Sequence, residues 1–75
     1  MARHELLEAI LRAQFELEFA EPEDLPACRD QLNALLDQAL QGKRLTRREL
    51  LSAMRGRYKE FKRAQLLAEA RRRGI

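Results

Sequence analysis

The sequence predicts an all-α protein, a small antiparallel three-helix bundle whose third helix is long and basic. In three segments the apolar residues recur every three or four positions, as on one side of a helix. Two short clusters containing Pro or Gly separate these segments. Because the chain has only 75 residues, we expect one domain, residues 1–75, with a frayed basic tail at residues 71–75.

The first helix is predicted at residues 2–20. Leu6, Ile10 and Leu17 share one face of a 3.6-residue helix. The five residues FELEF, 15–19, alternate as a strand would, but the longer helical pattern leading into them outweighs five residues. Glu18 falls within the apolar sector, so we expect either a partner such as Arg57 or a solvated position at the helix end.

The second helix is predicted at residues 24–41. Pro22 and Pro26 interrupt the preceding pattern, and Asp24 is a candidate N-cap. The apolar seam of this helix consists of Leu25, Cys28, Leu32, Leu35, Leu36, Ala39 and Leu40. Gly42 stands where a helix often ends on a residue in the left-handed conformation.

The third helix is predicted at residues 47–72. Thr46 and Glu49 have the spacing of a capping box, and Leu45 with Leu50 forms a hydrophobic staple. Its apolar stripe consists of Leu50, Leu51, Met54, Tyr58, Phe61, Gln65 and Ala68. At ~1.5 Å per residue the helix is about 40 Å long, so its last turns should project beyond the bundle. Gly56 interrupts it, either for a close helix contact or without a structural role.

Charge divides the chain into two unlike halves. Residues 1–42 carry three basic and nine acidic side chains, whereas residues 43–75 carry twelve basic and three acidic ones. The halves either neutralise each other inside the bundle or leave a basic surface for an acidic protein or a nucleic acid. Helical projection places six basic side chains in one outward row, the basic ridge: Arg48, Arg55, Lys59, Lys62, Arg63 and Arg73.

A second feature is an apolar surface larger than one small core requires. We expect this surface to form an interface with another copy or another protein. The alternative is that Leu66 and Leu67 simply cover the end of the bundle. The candidate interface residues are Leu7, Leu11, Phe15, Phe19, Leu66 and Leu67.

The residue types present argue against an enzyme, a metal site and a bound cofactor. Cys28 and His4 are the single cysteine and histidine, so neither a zinc site nor a nucleophile–base pair can be assembled from them. No glycine-rich phosphate loop is present, and a three-helix domain leaves little room for a small-molecule pocket. We predict no catalytic, cofactor-binding or metal-binding residues.

The sequence also predicts a cytoplasmic location without membrane insertion. No apolar run approaches the ~20 residues of a membrane span, and Glu8 and Arg12 interrupt the first apolar segment.

Together these features predict a non-enzymatic protein–protein interaction or regulatory module that self-associates as a homodimer. The basic ridge would bind an acidic protein partner. The alternative is a nucleic-acid-binding protein that uses the same ridge on the phosphate backbone. Base stacking requires exposed aromatic rings, and the four aromatic residues lie on or beside the apolar faces, which favours the protein partner.

Overall fold

A computed structural model describes residues 2–74. It confirms the all-α three-helix bundle: α1 spans Arg3–Glu18, α2 spans Leu25–Gln41, and the third helix, α3, spans residues 47–72. No strand occurs among the described residues. The molecule measures 42 × 27 × 21 Å, and its long dimension agrees with the ~39 Å expected for the 26 residues of α3. The predicted frayed tail includes Ile75, which lies outside the described residues, while Arg71 and Arg72 are helical.

The core forms where one face of α1 meets α2 and the beginning of α3. Leu6 and Ile10 are completely buried at its centre. The remaining buried members of this cluster are Ala13, Leu32, Ala39, Leu45 and Leu50. The cluster therefore combines small alanine side chains from α1 and α2 with larger leucine and isoleucine side chains. Leu40, expected on the α2 seam, is exposed, because Ala39 takes the inward position at that end of the helix.

The connection from α1 to α2 contains a single 3₁₀ turn, Pro22–Asp24. The predicted N-cap at Asp24 is wrong, since its side chain makes no capping hydrogen bond. An N-cap residue ordinarily has an extended backbone. Asp24 instead has helical dihedral angles, φ −94° and ψ −11°, because the 3₁₀ turn continues directly into α2.

The turn from α2 to α3 uses a left-handed residue, but at the position after the predicted one. Gly42 has φ −76°, and the positive φ of 53° belongs to Lys43. Gly42 is required for space: a Cβ there would lie 2.7 Å from the carbonyl oxygen of Gln38. The amides of Arg44 and Leu45 donate to the Ala39 carbonyl oxygen at 3.0 and 3.3 Å, which closes the turn.

The start of α3 is as predicted. The Glu49 amide donates to Thr46 Oγ1 at 3.1 Å, and the Thr46 amide donates to Glu49 Oε1 at 3.2 Å. Both hydrogen bonds of the capping box are therefore formed. Leu45 and Leu50 are buried together in the core, as expected for the staple. This arrangement fixes the angle at which α3 leaves the turn.

A π-helical turn, Ala53–Arg57, divides α3 into the α-helical stretches Arg47–Ser52 and Tyr58–Arg72. A π turn contains about one residue more than an α turn, so it rotates the inward face by one position. The buried residues are accordingly Leu50, Ala53 and Tyr58. The predicted stripe assumed a uniform period and is wrong for Leu51, which is 50% exposed, and for Ala68, which is also exposed.

Gly56 lies within this π turn on the solvent side of α3. A Cβ placed on it would have no heavy atom within 4 Å. Gly56 therefore makes no close helix contact, and the π turn does not depend on a missing side chain at this position.

Candidate interaction surfaces

Five of the six basic-ridge residues are exposed to solvent: Arg48, Arg55, Lys59, Arg63 and Arg73. Lys62 differs, because it is half-buried and its Nζ lies 2.6 Å from Glu18 Oε1. Its ammonium also lies 5.4 Å from the centroid of the Phe19 ring. The outward position predicted for Lys62 is therefore wrong: the π turn rotates this residue towards α1.

Glu18 joins α1 to α3 through a small polar cluster. Its carboxylate accepts hydrogen bonds from Lys62 Nζ and from the Tyr58 hydroxyl. These two hydrogen bonds, that of Lys62 first, lower the pKa of Glu18 below its ordinary value. Burial and the neighbouring carboxylate raise the pKa of Tyr58. Glu18 is thus neither a partner of Arg57 nor simply solvated, and the cluster fixes the register between α1 and α3.

A groove between the beginnings of α1 and α3 collects further positive charge. Its volume is about 650 Å³. We call it the arginine groove, and it is lined by Arg3, His4, Leu7, Leu45, Arg48, Glu49, Ser52, Ala53 and Arg57. Its single carboxylate, Glu49, is already engaged by an ion pair with Arg3 and by the capping box. Arg48 and Arg57 form no ion pair with any described residue.

Among the basic side chains of the arginine groove, the sequence indicated only Arg48 as a candidate binding residue. Arg57 also lines the arginine groove, because the π turn rotates α3 and brings this side chain to the groove wall. Arg3 and His4 are added by the packing of α1 beside α3. The basic excess of residues 43–75 was the available signal, but the contribution of α1 depends on helix packing alone.

The candidate interface residues separate into packed and exposed sets. Leu11 is only 5% exposed, so its assignment to a free surface is wrong: it lies on the side of α1 that α3 covers. Leu7 and Phe15 are half-buried. Phe19, Leu66 and Leu67 are 52%, 41% and 54% exposed.

The aromatic rings of α1 and α3 contact one another. The Phe15 centroid lies 4.8 Å from that of Phe19 and 6.2 Å from that of Phe61. The Arg12 guanidinium lies 5.9 Å from the Phe61 ring centroid. Phe15 and Phe61 are half-buried and Tyr58 is buried, so only Phe19 offers a largely exposed ring.

A second groove lies between the end of α1 and the start of α2, with a volume of about 460 Å³. Its apolar lining includes Phe15, Phe19 and Cys28, and its acidic residues are Glu16, Glu21 and Asp24. The complete lining of this acidic groove is Phe15, Glu16, Phe19, Ala20, Glu21, Asp24, Ala27, Cys28 and Gln31. None of its three carboxylates forms an ion pair with a described residue.

Two further features are absent from residues 2–74. No group of three or more His, Cys, Asp or Glu side chains is placed to hold a metal ion. No described helix is long and apolar enough to cross a membrane. Cys28 is a free, half-buried thiol on α2.

Comparison of the chain with protein-family models, with curated proteins and with solved structures gave no match.

Proposed function

We propose that this chain is a non-enzymatic interaction module that binds an acidic segment of a partner protein in the arginine groove and along the basic ridge. The observation that carries the proposal is the pairing of an apolar floor with basic walls. Leu45 and Ala53 are buried beneath the groove, while Arg48 and Arg57 stand at its wall without an intramolecular ion pair among the described residues. An acidic segment with an apolar anchor side chain matches both features.

The distribution of charge also supports an external partner. Two ion pairs join the acidic and basic halves, Glu18 with Lys62 and Arg3 with Glu49, and only the first engages a basic side chain of α3. The third ion pair, Arg72 with Glu69, is local to α3. Most of the positive charge of α3 is therefore available to attract a negatively charged molecule.

Self-association is the second part of the proposal. Phe19 lies at the end of α1, and Lys62 of α3 lies against its ring. Leu66 and Leu67 follow one turn later on α3, so three exposed apolar side chains are found at one end of the molecule. Burial of this end against another copy would add apolar contacts to a core that is small for a folded domain.

Binding to the phosphate backbone of a nucleic acid is the alternative. The exposed residues Arg48, Arg55, Lys59 and Arg63 follow one another along a single helix, which suits a row of phosphates. Against it, the arginine groove has an apolar floor, which phosphates cannot use. The aromatic side chains are mostly engaged within the bundle, which leaves little surface for base stacking.

The test measures the fluorescence anisotropy of two labelled probes titrated with the protein. One probe is an acidic helical peptide with leucines at every third or fourth position, and the other is a mixed-sequence duplex DNA. We expect the peptide to bind more tightly at physiological salt. The double variant Arg48→Glu, Arg57→Glu should weaken peptide binding by about tenfold or more, because charge reversal replaces attraction with repulsion.

The matched control is Arg29→Glu, Arg47→Glu, which makes the same charge change at two exposed residues that neither line the groove nor belong to the basic ridge. It should weaken peptide binding much less than the groove variant. Equal losses would show that only total charge matters and would overturn the groove as the binding site. Tighter binding of the duplex, with a steep loss as salt rises, would support the nucleic-acid alternative instead.

A further inference from the structure

We propose that two copies of this chain associate about a two-fold axis, with the projecting segment of each α3, residues 63–72, lying in the acidic groove of the other copy. The inference rests on the self-association proposed above and specifies the two surfaces that form it. The occupant of the groove is thus a second copy of this chain.

The projecting segment combines exposed leucines with positive charge. The interhelical hydrogen bonds and ring contacts that we observe for α3 end at Lys62. The ten residues that follow extend for about 15 Å. Arg63, Leu67 and Arg71 occupy one row of this helix at i, i+4 spacing. Leu67 is therefore an exposed apolar side chain between two cations, with Leu66 beside it.

The acidic groove has the complementary composition. Its floor includes Phe15, Phe19 and Cys28, and Glu16 and Glu21 supply negative charge at its border. The acidic side chains form no ion pair with any described residue. An apolar floor with an acidic border fits a helix whose leucines are flanked by arginines, because the apolar groups are buried while opposite charges meet at the edge.

The positions of the two surfaces indicate that the acidic groove is filled by the projecting segment of a second copy and not by that of the same chain. The groove is lined by residues 15–31, and no residue of the projecting segment lines it. Both surfaces nevertheless lie at the same end of the molecule, since Phe19 borders the groove and also contacts Lys62 just before the segment. Two molecules that meet at this end about a two-fold axis form the same contact twice, as a closed dimer requires.

The test is a charge-reversal exchange followed by sedimentation equilibrium. One variant reverses the segment, Arg63→Glu with Arg71→Glu, and the other reverses the groove, Glu16→Lys with Glu21→Lys. We expect the unmodified chain to dimerise and each variant alone to dimerise about tenfold or more weakly, because like charges meet in its homodimer. An equimolar mixture of the two variants should restore dimerisation, since both contacts in the heterodimer again join opposite charges.

The control is Arg47→Glu with Arg55→Glu, which makes the same charge change at the other end of α3 and should leave dimerisation unchanged. Far-ultraviolet circular dichroism of every variant verifies that the helices are retained. A dimer that neither reversal weakens, or variants whose mixture stays monomeric, would overturn this docking arrangement while leaving self-association intact. An unmodified chain that stays monomeric overturns both, without affecting the binding of an acidic partner.

Discussion

Alanine substitution at two glycines should change stability in opposite directions, although the chemical change is the same. At Gly56 the new methyl group would enter open space, with no heavy atom within 4 Å. Alanine there removes the helix penalty of glycine, so we expect the free energy of unfolding to rise by about 1 kcal/mol. The gain arises partly in the unfolded chain, which has fewer conformations to lose.

At Gly42 the same methyl group would lie 2.7 Å from the carbonyl oxygen of Gln38. That distance is far below an ordinary contact, and the opposing atom belongs to the backbone of α2. The last turn of α2 must therefore move, at the ~1–3 kcal/mol typical of overpacking. Subtraction of the ~0.4–1 kcal/mol that alanine contributes through the unfolded state leaves a net loss of about 1.3 kcal/mol at the middle of these ranges.

Thermal unfolding monitored by circular dichroism gives the comparison. For a chain of this length, 1 kcal/mol shifts Tm by about 4–8 °C. We therefore expect Tm to rise for Gly56→Ala and to fall for Gly42→Ala, measured at one protein concentration because dimerisation would also shift Tm. A gain at both positions would show that Gly42 is not required for the close approach of the turn. A loss at Gly56 would refute its placement in open space.

Two further predictions concern the turn and the polar cluster. Lys43→Gly should stabilise the chain by about 0.5–1 kcal/mol in urea unfolding, because relief of the ~1–2 kcal/mol cost of a left-handed lysine exceeds the cost of a more flexible unfolded chain. Lys59→Gly, in regular α-helix, should instead destabilise the chain by about 1 kcal/mol. A loss of stability at both positions would contradict the left-handed backbone conformation of Lys43. The pKa of Glu18 is lowered in the folded state, so its stabilising contribution is present above its ordinary pKa of 4.5 and is lost as pH falls through the lower folded value. Glu18→Gln should therefore lower Tm more at neutral pH than at a pH well below 4.5. A difference in Tm between the variant and the unmodified chain that does not vary with pH would contradict the pairing of Glu18 with Lys62 and Tyr58.

The features that the sequence predicted correctly are set by neighbouring residues. Thr46 and Glu49 are three positions apart, so their reciprocal hydrogen bonds require only the first turn of α3. The all-α class follows from apolar spacing over whole segments, which the short FELEF alternation could not override.

The features that the sequence did not predict depend on how helices pack. The partner of Glu18 is fixed by the register of α1 against α3, and residues 18 and 62 are far apart in the chain. The π turn changes which side of α3 faces inward, so Lys62 turns towards α1 and Leu51 towards solvent. The hydrophobic pattern of α3 is compatible with a uniform helix, and it therefore could not reveal the extra residue.

We propose above all that the arginine groove binds an acidic protein segment. This proposal is tested most directly by the affinity of the acidic peptide for the unmodified chain and for Arg48→Glu, Arg57→Glu at physiological salt. We predict measurable binding by the unmodified chain, a loss of about tenfold or more in the groove variant, and a much smaller loss in Arg29→Glu, Arg47→Glu. Absence of binding by the unmodified chain, or equal losses in the two variants, would contradict the claim.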